Sequence, residues 1–180
     1  ARPAVCSCCA PAFPLLREFR GTGNLRAVAW STAICRIQGV SGTVAEFRWP
    51  VRVYYEDTDS GGVVYYANYL RFMERARTEW LRVLGFEQDE LLDRDGILFA
   101  VRSASVDFLK PARFNDLLSV SCGVVKHGRA SLTFEQVIAR DGATQEPLCT
   151  GQVRIACLEA ASFQPQAIPE YILKEIADVR

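Results

Sequence analysis

Residues 54–69 read YYEDTDSGGVVYYANY. Three carboxylates, Glu56, Asp57 and Asp59, fall within four positions, and Gly61 and Gly62 follow. Acids this dense, ahead of a glycine turn and an apolar helix start, suit either a hard cation or a hydrolytic carboxylate. An EF-hand-type calcium loop begun at Asp57 needs an oxygen ligand at its fifth position and a bidentate glutamate at its twelfth. Those positions hold Gly61 and Asn68, so no calcium loop is predicted. Neither a P-loop nor a G-x-S-x-G elbow occurs anywhere in the chain. Asp59 remains, at the mouth of the helix. The first N–H groups of a helix lack internal partners and carry partial positive charge, so they can hold a developing oxyanion. A carboxylate beside them suffices for acyl hydrolysis: one group attacks or activates water, the other steadies the tetrahedral oxygen. The same residues also fit a plain Asx-turn before the helix, and residue types alone leave both readings open.

His127 is the single histidine, between Lys126 and Gly128 at an expected hairpin tip. It is far in sequence from any nucleophile and reads as a solvated turn residue, which disfavours histidine-based general-base chemistry. Glu74 follows Asp59 by fifteen positions and is flanked by Arg71, Arg75, Arg77 and Thr78, so it reads as part of a salt-bridged, solvated helix face. Trp80 and Met73 read as core.

The formal net charge is zero, so nothing global attracts nucleic acid or an anionic membrane. No apolar run is long enough for a membrane-spanning helix. Of the seven cysteines, Cys6 and Cys9 form one C-x-x-C without a second pair, a weak zinc signal. Cys122, Cys149 and Cys157 fall singly in expected strands, a usage that fits a reducing, cytoplasmic setting.

These residues need elements to hold them. WPVRVYYED alternates and reads as a strand over about 49–57. ANYLRFMERARTEWLRVLG carries apolar residues at Tyr69, Met73, Ala76, Trp80 and Leu84, the clearest helix in the chain, with Asn68 as its expected N-cap and Gly85 as its stop. A short helix closed by Gly96 follows. A strand ending at Pro111, a hairpin joined at His127-Gly128, a turn at Asp141-Gly142, a further strand and a closing helix after Pro169 complete the order. This is an α+β layout with an antiparallel sheet wrapped around one long helix. Residues 1–46 lack a clean period and are almost acid-free. They are expected to form an N-terminal extension, disordered or non-native, ahead of one domain at 47–180.

The stretch FRWPVRVYYEDTDSGGVVYYANYLRFMERARTEWLR resembles the Tol-Pal-associated, YbgC-type acyl-CoA thioesterases, within the 4-hydroxybenzoyl-CoA thioesterase group of hotdog proteins. The resemblance runs from Phe47 to the last helix. It implies a hotdog fold and hydrolysis of acyl-CoA to acid and CoA without cofactor or metal. Asp59 matches the catalytic carboxylate, as nucleophile or general base. The backbone N–H of Tyr66 matches the oxyanion donor, and Gly62 and Val63 match the turn that presents them. Many YbgC-type sequences carry histidine where this chain has Tyr66. A tyrosine there resembles the 4-hydroxybenzoyl branch, and a backbone donor tolerates either. Lys126 and Arg129 are candidates for the CoA phosphates. The resemblance further implies a homodimer or homotetramer with sites at the subunit boundary. The competing expectation is a non-catalytic hotdog module that binds acyl chains or an acyl carrier protein within an envelope-associated complex.

Overall fold

The computed structural model describes residues 47–142 and 145–178, so the expected extension over 1–46 lies outside the described residues. The chain runs β1 (Phe47–Arg52), a 3-10 turn (Tyr55–Asp57), α1 (Tyr66–Val83), α2 (Gln88–Asp95), β2 (Ile97–Phe108), β3 (Leu117–Gly128), β4 (Ser131–Arg140), β5 (Pro147–Glu159) and α3 (Glu170–Asp178). The strands form one sheet in the order β1-β3-β4-β5-β2, with every neighbouring pair antiparallel. The expected α+β arrangement of a sheet around one long helix is therefore present.

The sheet closes on α1 because both carry apolar faces of the right period. Helix α1 buries Tyr69, Phe72, Met73, Ala76, Trp80 and Leu81. Strand β4 presents Leu132, Phe134 and Ile138 to the same core, two or four residues apart, as a pleated strand requires. Trp80 meets Phe134 edge-on, with centroids 5.3 Å apart. Leu84, expected on the stripe, is only partly buried at the edge of the core. One polar side chain is fully enclosed beneath the helix: Gln136 on β4 donates to the carbonyls of Met73 and Ser121 at 3.0 and 3.4 Å and accepts from Arg77 at 2.8 Å.

Three local expectations are corrected. The first strand stops at Arg52, and Glu56 and Asp57 lie in the 3-10 turn rather than at a strand end. The Asp57 carboxylate accepts the Tyr54 N–H at 2.9 Å, and this bond curls the chain out of the sheet. Asn68 is not the N-cap. Tyr65 occupies that position with extended backbone, and Asn68 is buried inside the first turn. The hairpin turns two residues later than expected: His127 is paired with Leu132, Gly128 with Ser131, and Arg129-Ala130 make the turn. Gly85 and Gly96 do end their helices, at φ 87° and 64°, values that glycine adopts without steric cost.

Gly151 of β5 leaves the room that the thioether end of Met73 on α1 occupies. A Cβ there would stand 2.7 Å from Met73 Cε and 2.8 Å from its Sδ. Gly151→Val therefore overpacks the helix–sheet contact and is expected to cost about 1–3 kcal/mol. Gly123→Ala on β3, where an added Cβ meets nothing within 4 Å, is the uncrowded control and should change stability little. Urea unfolding of both variants checks the pair; equal midpoints would show that Met73 does not need the room Gly151 leaves.

Candidate active site

The turn between β1 and α1 is fixed from both sides before any acid reaches it. Val53 exchanges backbone bonds with Asn115 and Asp116, each 3.0 Å. The Asp57 carbonyl then accepts two donors from the start of α1, the Tyr65 N–H at 2.8 Å and the Asn68 Nδ2 at 2.9 Å. Asn68 is only 4% exposed, so this amide bond is shielded from competing water. Between these anchors the chain makes a tight loop: the Asp59 N–H donates to the Val63 carbonyl at 2.9 Å, and the Gly62 N–H donates to the Asp59 carbonyl at 3.0 Å. Gly62 sits at φ 73°, where a side chain would be strained.

Asp59 is exposed, and its Oδ1 accepts the Gly61 N–H at 2.8 Å, as in an Asx-turn. That bond uses one carboxylate oxygen and leaves the other uncommitted. Asp59, Val63 and Tyr66 line one cavity of about 330 Å³ together with Tyr69, Phe108 and Lys110. Tyr66 is the first residue of α1, so its N–H has no intrahelical partner. Among the described residues it has no other acceptor either. Asp59 and a helix-start residue with an unpaired N–H thus line one space, residue types that acyl hydrolysis calls for.

The cavity has one firm wall. The Tyr69 hydroxyl accepts the Ala112 N–H at 3.0 Å, and the ring meets Phe108 edge-on at 5.4 Å. Burial raises the Tyr69 phenol above its ordinary value, more than the Ala112 N–H lowers it, so it stays protonated at neutral pH. Lys110 is held at the rim by an ion pair to Glu146. The sequence reading missed Tyr69, Phe108 and Lys110 as site residues. The strand-ending Phe108-Leu109-Lys110-Pro111 was the available signal, because a proline forces the chain off the sheet there.

Lys126 and Arg129 are not brought to this cavity within one protomer. Val63 pairs with Arg113, four residues before β3 begins. Lys126 lies nine residues beyond Leu117, roughly 30 Å along the strand at ~3.3 Å per residue. It lines a second cavity of about 550 Å³ with Ser103, Ser131, Thr133, Gln152 and Arg154, basic and rich in hydroxyls. Arg129 is in the hairpin turn, where its carbonyl accepts the Ile168 N–H at 2.9 Å. His127 is exposed. Glu74 is exposed and accepts the Thr78 hydroxyl at 2.8 Å, in keeping with a solvated face.

Burial pushes the Cys122 and Cys149 thiols up to about 12 and Cys157 up to about 11. At neutral pH they are thiols rather than thiolates, and poor nucleophiles. Among the described residues, no group of three or more His, Cys, Asp or Glu side chains converges as a metal site would. No described helix is long and apolar enough to cross a membrane.

A sheet wrapped on one helix, with an acid and an unpaired N–H at the helix mouth, is the hotdog thioesterase arrangement. Residues 61–146 match the family model described as the thioesterase superfamily. The chain is 43% identical over 126 residues to acyl-CoA thioesterase YbgC of Haemophilus influenzae, spanning 70% of this chain and 90% of that protein. It is 33% identical to YbgC of Helicobacter pylori, spanning 69% and 95%. Among solved structures, a probable thioesterase from Bartonella henselae aligns with a TM-score of 0.65 at 34% identity, over 69% of this chain and all of that one. Slr0204 of Synechocystis, a 1,4-dihydroxy-2-naphthoyl-CoA thioesterase, aligns with a TM-score of 0.68 over 73% of this chain and 96% of its own; at 23% identity that likeness is one of fold. The chain belongs to the YbgC-type acyl-CoA thioesterases of the thioesterase superfamily.

The Asn68 amide is the buried tie between the Asp59 turn and the start of α1. Asn68→Ala removes its donor from the Asp57 carbonyl and is expected to cost about 1–2 kcal/mol of stability. It should also lower kcat more than it raises KM, since it loosens the reacting groups rather than the binding walls. Denaturant unfolding and steady-state kinetics on one preparation test both halves; a stable variant with wild-type kcat would remove Asn68 from this role.

Proposed function

We infer that this chain hydrolyses acyl-CoA thioesters to the free acid and CoA, with Asp59 as the catalytic carboxylate and the Tyr66 N–H as oxyanion donor. The carrying observation is that Asp59 and Tyr66 line one cavity at the start of α1. The activity named for the YbgC relatives supports it. In the base route, Asp59 takes a proton from water while the water oxygen attacks the thioester carbonyl carbon. The carbonyl oxygen becomes an oxyanion held by the Tyr66 N–H. The C–S bond then breaks, and the CoA sulfur leaves with the proton that Asp59 returns. In the nucleophile route, Asp59 itself attacks, CoA leaves, and water cleaves the resulting anhydride. Both routes need the charge on Asp59 and the donor at Tyr66, with Gly62 and Val63 holding the two at their spacing.

An acid open to solvent works against strong electrostatic catalysis, which gains from water exclusion. Strand β2 offers the means of exclusion. It forms the sheet edge for twelve residues, and its outer backbone groups have no strand partner among the described residues. Such an edge pairs readily with another strand. A second copy added along β2 makes a homodimer and closes the sites at the subunit boundary. Lys126 and Arg129, remote from Asp59 in one protomer, serve CoA phosphates only across such a boundary, with Arg154 in the same basic cavity as Lys126.

Asp59→Asn keeps the side-chain size and the bond to Gly61 but removes the charge. Thiol release from a panel of acyl-CoAs should fall in kcat by about 10²- to 10⁴-fold, with folding intact. Glu74→Gln should change kcat only a few-fold. A near wild-type Asp59→Asn enzyme alongside an inactive Glu74→Gln enzyme would move the catalytic acid to the helix face. Light scattering of the wild-type protein at micromolar concentration should report a dimer or larger; a monomer with full activity would dismiss the shared site.

A further inference from the structure

Arg77 is a buried cation with no direct ion pair among the described residues; Glu74 acts on it only from a distance. It is 8% exposed, and its one hydrogen bond, 2.8 Å, goes to the neutral side-chain amide of Gln136. Among the described residues no carboxylate lies within ion-pair distance of it. Glu74, one turn away, is exposed and bonded to Thr78. A guanidinium carries five N–H donors, and enclosing it without a counter-charge is costly. No buried side-chain nitrogen or oxygen among the described residues lacks a partner, so the donors not given to Gln136 are those still open to space.

Arg77 lines a third cavity, of about 290 Å³, with Leu70, Val101, Ala104 and Val153 as its apolar walls. The bulge between Val101 and Ser103 puts Val101 and Ala104 on the same side of β2, although they are three residues apart. Tyr66, Leu70, Glu74 and Arg77 follow one another at helical spacing, so one face of α1 borders first the Asp59 cavity and then this one. Tyr66 and Arg77 are roughly 16 Å apart along the helix axis, and the arginine side chain leans back toward the helix start.

We propose that this cavity is the far end of the acyl site, and that Arg77 is a specificity residue which reads a carboxylate at the distal end of the acyl chain. The apolar walls take the methylene chain, and the guanidinium gives its free donors to the terminal carboxylate. The substrate class favoured is thus the mono-CoA thioester of an α,ω-dicarboxylic acid. This rests on thioester hydrolysis at Asp59, the reading given above. Arg71 at the same cavity adds a second cation, while Glu74 beside it disfavours an anion that stops short of Arg77.

The test compares kcat/KM of the full chain on matched pairs: diacid mono-CoA and monoacid CoA of six, eight and ten carbons. In the wild-type enzyme the diacid-to-monoacid ratio should exceed one at one of these lengths. In Arg77→Gln that ratio should fall by about 10- to 100-fold, the worth of a charge-assisted hydrogen bond, while Arg77→Lys retains part of it. A wild-type ratio below one at every length overturns the proposal without recourse to any variant, which covers the case in which Arg77→Gln fails to fold. A ratio unchanged in a folded Arg77→Gln enzyme also overturns it. So does a flat ratio accompanied by a shift in the dimer equilibrium, which would give the groove to a second copy. Failure to hydrolyse either member of any pair would instead refute the thioesterase reading itself.

Discussion

The carbonyl of Asp57 accepts two hydrogen bonds from the start of α1, one from the Tyr65 backbone and one from the Asn68 side chain, while the Asp57 carboxylate accepts the Tyr54 N–H. One residue therefore joins the end of β1, the acidic turn and the first turn of the core helix. Without this joint, Asp59 and the Tyr66 N–H would sit on two independent segments. The joint also explains the density of acids in this stretch. Asp57 is structural and buried, Asp59 is presented to a cavity, and Glu56 stays in solvent. Three carboxylates in four positions are thus not a charge cluster with a shared purpose. The chain separates them by direction, and the 3-10 turn does the separating.

Much of the fold is legible in the sequence because its signals are local. The apolar spacing from Tyr69 to Trp80 can be satisfied only by a helix with one buried face, and Gly85 and Gly96 stop their helices where the left-handed backbone demands glycine. The errors arise where a distant residue decides. Asn68 looks like a cap because its type favours caps, yet the partner for its amide is the carbonyl of Asp57, eleven residues back. The strand at Trp49 ends at Arg52 because Asn115 and Asp116 take over the bonds of Val53, and nothing near position 52 announces that. The acid and the helix start were readable at the site because they are neighbours in sequence. The wall formed by Phe108, Lys110 and the Tyr69 hydroxyl was not, since it depends on the end of β2 returning to the mouth of α1. Lys126 and Arg129 were singled out by charge and type, and strand length places them at the far end of the sheet from Asp59 within one protomer.

Polar groups under α1 follow a different rule from those at its mouth. At the mouth, the Tyr66 N–H is left without an acceptor, while Asp59 commits one carboxylate oxygen to Gly61 and leaves the other free. Under the helix, Gln136 uses every part of its amide, with the Met73 carbonyl, the Ser121 carbonyl and Arg77 as its partners. A fully satisfied network of this kind rigidifies the packing around it. The helix is thereby held to the sheet along its middle, while among the described residues its first N–H, that of Tyr66, has no acceptor.

Strand β2 links these features to assembly. Its helix-facing residues Val101, Ala104 and Phe108 line both cavities beside α1, while its outer backbone edge has no strand partner among the described residues. A strand buried on both edges would close the groove along α1, and a strand with polar residues on its inner face would not accept an acyl chain. A long edge strand with an apolar inner face leaves the groove open from one side and invites a cover along the other. Edge strands of this length are an aggregation hazard unless they are paired or blunted. The strand that walls both cavities beside α1 is thus the same strand whose outer edge has no strand partner among the described residues.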